Sequence, residues 1–225
     1  MKRVSEQWAG ADPTDPAAPA PAVALLLLAA GGSTRMGRPK QLLEYGGQPL
    51  LRHSVEQALA SRCRPVVVVL GADADACRAV IDDLPVQIVL NHDWAQGMGS
   101  SIRAGMSALA AGETGESVPE AVLIALCDQP LISSAFLDAL VQLHVEQHAP
   151  MVAASYDNRP GVPALFARAL FPRLAALDGQ AGAKALLQAA DGAHLLTIPA
   201  PQAAVDVDTP DDYARLLRTP LKSDV

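Results

Sequence analysis

A chain of 225 residues, half of them hydrophobic but only 4% aromatic, is long enough for one α/β domain with an aliphatic core. Its 17 basic and 24 acidic residues leave a net charge of −7, which argues against the broad basic face of a nucleic-acid binder. No stretch reaches the roughly 18 apolar residues of a membrane span, and Cys63, Cys77 and Cys127 are scattered without a C-x-x-C pair, so a reducing, cytoplasmic setting is expected.

Residues 1–22 are rich in Pro and Ala and lack the continuous apolar core of a secretory signal; they are expected to be a flexible extension. Residues 23–219 are expected to form a single domain, and 220–225 a tail. The domain opens on the apolar run Val23 to Ala30, right in length for a strand buried on both faces. The run breaks into Gly31-Gly32-Ser33-Thr34, and Arg35 and Lys40 follow with Gly37 and Pro39 between them. A buried strand feeding a glycine-rich loop with two cations describes a phosphate site. Free backbone N–H groups supply directional donors, and Arg and Lys supply charge. The Walker pattern fails, because Arg38 and Pro39 follow the two correctly spaced glycines Gly32 and Gly37. The dinucleotide pattern G-x-G-x-x-G is absent. The plainer alternative is a surface loop with ordinary exposed cations.

LLLAAGGSTRMGRPKQLL resembles the signature loop of the MobA-like nucleotidyltransferases, roughly L-A-A-G-x-S-x-R-M-G-x-x-K-x-L-L. Within that superfamily it is most similar to the molybdenum cofactor cytidylyltransferases. The resemblance implies a nucleoside triphosphate over this loop, touched by Ala30, Gly31, Gly32 and Ser33, with Arg35 and Lys40 as the triphosphate-binding cations.

Further along, Gly46-Gly47 makes a turn, and helical spacing of Leu50, Leu51, Val55, Ala58 and Leu59 predicts a helix over 49–61. A second buried strand is predicted over 65–70, a helix over about 73–83 and a third strand over 86–90. This alternation predicts a Rossmann-like three-layer α/β/α sandwich with a mostly parallel sheet. Ligands of such sheets sit outside the carboxyl ends of the strands, where the first loop, Gly71 and Asn91 all fall.

The stretch from Asn91 to Ser101 places two glycines before two serines, and Ile102, Met106 and Leu109 then mark a helix for which Ser100 or Ser101 reads as the N-cap. The stretch resembles the family's N-x-x-W/Y-A-x-G-M/L segment, which implies nucleotide contacts from Asn91, Gly97 and Ser100. Serines that only cap and glycines that only turn remain the alternative. A polar loop over 112–119 leads to a fourth buried strand, 121–126, which ends at Cys127-Asp128-Gln129-Pro130. A carboxylate at that strand end either holds Mg²⁺ against a triphosphate or starts a turn. The resemblance to the family's D-x-P implies the metal role for Asp128, while Cys127 is expected to pack.

An amphipathic helix is predicted over 133–148. His144 and His148, at i and i+4, lack the H-E-x-x-H order and read as a solvated helix end. A fifth strand, 151–156, precedes a stretch resembling the family's G-x-P segment on the acceptor side. The middle position, His in many cofactor cytidylyltransferases, is Val162 here, which leaves the acceptor open. Gly161 belongs to this motif. Arg159 either meets an acceptor phosphate or is an exposed loop cation. Helix-like apolar residues run over 165–177. Asp178 to Lys184 resembles a G-D-x-G-A-K/R segment, whose Lys184 either reaches an acceptor phosphate or is a solvated helix cation.

After a strand over 194–198, alternation puts Asp206 and Asp208 on one side of an extended segment, and Thr209 or Asp208 caps a helix with Pro210 in its first turn. The two acids either complete a Mg²⁺ site with Asp128 or favour the helix dipole. VDVDTPDDY resembles the family's closing motif, which implies Asp208 as the better metal ligand and Asp206 as the second. The whole pattern implies a Mg²⁺-dependent nucleotidyltransferase with Arg35, Lys40 and Asp128 as its catalytic set. Ala29-Ala30-Gly31 resembles the cytidylyl branch, so CTP is favoured, with a molybdopterin acceptor and a molybdoenzyme as candidate partner. The rivals are guanylyl, isoprenoid or sugar-phosphate transferases, or a non-catalytic module that carries a cofactor.

Overall fold

The computed structural model describes residues 22–111, 118–190 and 194–218. The first strand, β1 (Val23–Ala29), is buried at every position. Its side chains divide by alternation: Val23, Leu25, Leu27 and Ala29 enter one core, while Ala24, Leu26 and Leu28 enter another. A strand with two apolar faces needs a covering layer on each, and the three-layer α/β/α sandwich follows from that requirement.

A short hairpin comes next, β2 (Glu44–Tyr45) and β3 (Gln48–Pro49), joined through Gly46 and Gly47, and it leads into α1 (Leu50–Ala60). β4 (Val66–Leu70), α2 (Ala74–Ala79), β5 (Gln87–Leu90), α3 (Met98–Ala111), β6 (Ala121–Leu126) and α4 (Ser134–Gln147) follow in alternation. The rest of the domain is β7 (Met151–Tyr156), β8 (Arg159–Ala167), α5 (Phe171–Ala175), α6 (Lys184–Gln188), β9 (Leu195–Pro199) and α7 (Pro210–Leu216).

The sheet has seven strands in the order β5-β4-β1-β6-β8-β7-β9. β8 is antiparallel to β6 and β7, and the remaining pairings are parallel. Leu51, Val55 and Ala58 of α1 and Leu137, Leu140 and Val141 of α4 pack on one face. Ile102 and Met106 of α3, Leu174 of α5 and Leu186 of α6 pack on the other. The parallel order brings the carboxyl ends of β5, β4, β1 and β6 to one edge, so the loops that begin at Ala30, Gly71, Asn91 and Cys127 are neighbours. A third cluster of Met36, Leu43, Tyr45, Leu50, Val207 and Leu216 ties the loop after β1 to the C-terminal segment.

Four expectations are corrected. Residues 159–167 form a full strand, so Arg159 begins a strand rather than sitting within a loop, because Ala164, Leu165 and Phe166 are buried between β6 and β7. The helix expected over 165–177 therefore shrinks to a 3₁₀ turn, Arg168–Leu170, and α5. A run buried on both sides carries no helical period, so its apolar residues mislead. The helix over 73–83 stops at Ala79, and the chain closes through i→i−3 bonds from Ile81 to Arg78 and from Leu84 to Ile81. Finally, α3 begins at Met98, which puts Ser100 and Ser101 inside it rather than at its cap. Gly97, at φ 111°, makes the turn into that helix.

Thr209 caps α7 as expected, in a reciprocal capping box with Asp212. Of the polar loop at 112–119, residues 112–117 lie outside the described residues, as do 1–21 and 219–225. Among the described residues no helix is long and apolar enough to cross a membrane.

Candidate functional site

The loop after β1 is shaped by its own polar groups. Ser33 sits in the left-handed region at φ 49°, and its carbonyl accepts from the N–H groups of Met36 (3.0 Å) and Gly37 (3.2 Å). The Ser33 hydroxyl accepts from the Lys40 N–H at 3.0 Å and donates to Gln41 Oε1 at 3.2 Å. Gln41 Nε2 in turn donates to the carbonyls of Ala29 (2.9 Å) and Gly31 (2.8 Å). Gln41 is buried, and it pins the strand end to the far side of the loop. Sequence reasoning passed it over. The available signal was a lone amide beside Leu42 and Leu43, where an apolar residue would be usual.

With the loop so fixed, Lys40 points at acids. Its Nζ lies 2.5 Å from Asp128 Oδ2 and 2.9 Å from Asp208 Oδ1, and Arg35 Nη2 lies 2.6 Å from Asp208 Oδ2. Asp128 stands just past the end of β6, and its carbonyl accepts from the Val207 N–H at 3.0 Å, so strand end and C-terminal segment are tied together. Beneath them, Ser54 donates to the Cys127 carbonyl at 3.0 Å and His53 Nε2 is bonded to the Pro130 carbonyl at 3.0 Å. The Lys40 and Asp128 side chains are 13% and 15% exposed, and Asp208 is 26% exposed, whereas Arg35, at 69%, stands at the mouth.

The electrostatics follow from these contacts. Burial by itself disfavours the Lys40 ammonium, but Asp128 and Asp208 more than reverse this and raise its pKa. Burial likewise works against the Asp208 carboxylate, yet Lys40 and then Arg35 hold it below the usual range. Asp206 is exposed and goes the other way: partial desolvation first, then repulsion from Asp208 and Asp128, raises its pKa. Burial pushes the Cys127 thiol far up, so it packs and is not a thiolate nucleophile.

A divalent cation fits the donor set. Two carboxylates already share one cationic group, and Asp128 Oδ1 is a buried acceptor with no hydrogen-bond partner. Among the described residues, no three acids, histidines or cysteines are gathered as a preformed metal cage, and Lys40 Nζ is paired with both Asp128 and Asp208. His144 Nδ1 is bonded to the Ala149 carbonyl at 2.8 Å and His148 ends α4 in the left-handed region, so this pair closes a helix.

The remaining candidates fall into two groups. Gly71, Asn91, Gly97 and Ser100 lie on the edge beside the loop. A Cβ on Gly71 would stand 2.7 Å from the Ala30 carbonyl, so glycine is required for β1 and β4 to close together there. Asn91 is buried and donates to Ser100 Oγ (2.8 Å) and Ser101 Oγ (3.0 Å). A Cβ on Gly97 would stand 2.5 Å from the Gly179 carbonyl, and one on Gly99 1.9 Å from the Asp178 carbonyl and 2.5 Å from that of Ala181. The segment before Lys184 therefore docks on Gln96–Gly99. Arg159 and Lys184 are both exposed, and Gly161 is buried because the Tyr156 ring lies across it. Gly99→Ala is expected to cost about 1–3 kcal/mol, since the atoms it would meet are backbone carbonyls that cannot rotate away. Urea unfolding checks this, and unchanged stability would mean that the 178–182 segment is not seated on α3.

Comparison with known proteins gives the family and the fold. A family model described as the MobA-like NTP transferase domain matches residues 25–195. Asp206 and Asp208 lie beyond its end. The chain is 36% identical over 205 residues to nicotine blue oxidoreductase of Paenarthrobacter nicotinovorans, covering 88% of this chain and 97% of that protein. It is 30% identical over 203 residues to purine catabolism protein PucB of Bacillus subtilis, covering 86% and 95%. Among solved structures, Rv0371c of Mycobacterium tuberculosis superposes with a TM-score of 0.75 at 27% identity, over 89% of this chain and all of that one. A second structure of Rv0371c, with a TM-score of 0.71 at 25% identity, is a complex with manganese and covers 88% of this chain and 100% of that one.

Proposed function

The chain belongs to the MobA-like NTP transferase family, and we propose that it is a Mg²⁺-dependent nucleotidyltransferase that moves CMP from CTP to a phosphate of a molybdopterin-type acceptor. The observation that carries this reading is the Lys40 ammonium held between Asp128 and Asp208, with Arg35 at the mouth of the same loop. Those are the groups that in-line transfer at a phosphorus needs, because the chemistry is positioning and charge neutralisation. An oxygen of the acceptor phosphate bonds to the α-phosphorus, and the bond to the bridging oxygen of the leaving pyrophosphate breaks.

The roles divide by exposure. Asp128 and Asp208 would hold the Mg²⁺, which supplies Lewis-acid neutralisation of the triphosphate. Lys40, nearly buried and fixed by the Ser33–Gln41 contacts, places one positive charge beside the transferring phosphorus. Arg35 is free to leave Asp208 for a phosphate oxygen, a planar donor for which bidentate contact is natural. Loop N–H groups at Gly31, Gly32 and Ser33 are directional donors to the same anion. Asp206, exposed beside the pair, is the supporting acid.

The test is a pyrophosphate-release assay over the four nucleoside triphosphates with Mg²⁺ and a molybdopterin acceptor. CTP is expected to turn over faster than GTP, and equal or reversed rates would remove the cytidylyl assignment. A second reading, a nucleotidyltransferase with a guanylyl, isoprenoid or sugar-phosphate role, draws support from the acceptor rim. There Arg159 follows Tyr156, Asp157 and Asn158 in the chain, and Val162 stands where many cofactor cytidylyltransferases have histidine. A molybdoenzyme would then not be the onward partner. A carrier without turnover would have no use for the complete set of cations and acids kept here.

A further inference from the structure

Gln129, next to Asp128 in the turn after β6, is 4% exposed and turns its amide to the main chain. Its Nε2 donates to the Val162 carbonyl at 3.1 Å and to the Ala203 carbonyl at 2.7 Å. Two carbonyls need two donors, so the NH₂ end faces both. Val162 lies in the register shift between β7 and β8, beyond the last β6–β8 pairing at Ile124 and Ala164. Ala203 lies in the 3₁₀ turn Pro201–Ala204, which leads to the acids. One buried amide therefore ties the turn after β6 to β8 and to the C-terminal segment.

The segment that follows Ala204 is self-similar. Val205-Asp206-Val207-Asp208 repeats with a period of two, and it is neither helix nor strand. Val207 is buried in the cluster with Met36 and Leu50, and Val205 packs against the same cluster. A shift of two residues would exchange Asp206 for Asp208 and preserve the order of apolar and acidic side chains. Nothing inside these four residues chooses between the acids, so the choice comes from the anchors on either side. Downstream, the Thr209–Asp212 capping box lies within α7, and the Tyr213 hydroxyl donates to the Glu44 carbonyl at 2.7 Å. Upstream, Gln129 holds Ala203. Between them the Val207 N–H donates to the Asp128 carbonyl at 3.0 Å, a main-chain bond that is blind to side-chain identity.

We propose that Gln129 is a positioning residue: its amide sets the register of the segment entering α7, and so selects Asp208 rather than Asp206 as the second acid facing Lys40 and as the acid offered to a divalent cation. The cation half rests on the nucleotidyltransferase reading above; the Lys40 half does not. Asp128 and Gln129 thus divide one task, the first supplying a carboxylate and the second fixing the partner carboxylate beside it.

The test is Gln129→Met, which keeps the length of the side chain and removes the donors. Urea unfolding at neutral pH gives the coupling of Lys40→Met with Asp208→Asn and with Asp206→Asn, each in the native and the Gln129→Met background. In the native background Lys40 is expected to couple to Asp208 and not to Asp206. In Gln129→Met the Asp208 coupling is expected to fall by about half or more and a coupling to Asp206 to appear. Mn²⁺ binding, followed by electron paramagnetic resonance, is expected to weaken about tenfold in Gln129→Met and to become sensitive to Asp206→Asn. If Gln129→Met does not fold, Gln129→Asn, whose amide is one methylene shorter, carries the same measurements. A lower stability with both couplings unchanged would make Gln129 a structural residue only and overturn the proposal. Native protein that binds no Mn²⁺ would overturn the cation half together with the metal reading, and the couplings would still decide the register.

Discussion

Lys40→Met is expected to lower pyrophosphate release by about two to three orders of magnitude, the usual cost of removing one fixed charge donor from a transition state. The same change should destabilise the free protein by about 3 kcal/mol. The Lys40–Asp128 pair is largely out of solvent, and removing one partner strands the other. The pH dependence has a definite sign. Lys40 has a raised pKa, so its contribution is complete below the ordinary lysine value near 10.4 and fades only as pH climbs through the raised one. Asp208 has a lowered pKa, so its contribution is complete above the ordinary value near 3.9 and is lost as pH falls through the lowered one. The Lys40→Met penalty should therefore be flat across neutral pH and shrink on the acid side, as Asp208 loses the ionised form that Lys40 holds. Urea unfolding from pH 3 to 8 reads this directly. Adding Asp128→Asn to Lys40→Met should restore part of the lost stability, a non-additivity that residues in contact show. Wild-type turnover in Lys40→Met would remove the loop from the mechanism.

Much of the architecture around that lysine could be read from residue order, because the physics there is local. The Val23–Ala30 run is apolar without a period, so it had to be buried on two faces, and the two cores it enters bear this out. Thr209, Pro210 and Asp212 announce a helix start through capping chemistry confined to four residues. β8 resisted for the opposite reason. Its direction is set by where β6 and β7 leave a gap, and no pattern within 159–167 encodes that. Ser100 looked like a cap because a serine before an apolar helical stripe usually is one. Its real partner is Asn91, nine residues earlier, and only the turn at Gly97 lets the two meet.

The site divides along the same line. Arg35 and Lys40 were found from residue types in a glycine-rich loop after a buried strand, while Asp128 and Asp208 were singled out by family resemblance; the structure adds that the four are paired directly, over separations of up to 173 residues. Gln41 was missed because its contacts are with the main-chain carbonyls of Ala29 and Gly31, which leave no mark on composition. Lys184 was read either as reaching an acceptor phosphate or as a solvated helix cation; it is exposed at the start of α6, just after a segment that docks on Gln96–Gly99.

Asp128→Asn is expected to do more damage than Asp208→Asn, both to turnover and to stability, although the two acids share one lysine. Asp208 is 26% exposed and held by two cations, so its amide replacement can turn to solvent and leave Arg35 free for a phosphate. Asp128 has no such exit. Its Oδ2 faces Lys40 Nζ, and its Oδ1 is buried without a partner. An asparagine there must aim its NH₂ either at an ammonium, donor against donor, or into a buried position with nothing to receive it. Either choice costs about 1–3 kcal/mol, and the main chain cannot shift to relieve it while the Asp128 carbonyl is bonded to Val207. Turnover should fall by about three orders of magnitude for Asp128→Asn and about two for Asp208→Asn. Paired pyrophosphate-release and urea-unfolding measurements on the two variants decide the ranking. The reverse order in both would move the centre of charge from the end of β6 to the C-terminal segment, and the lysine would then serve Asp208 first.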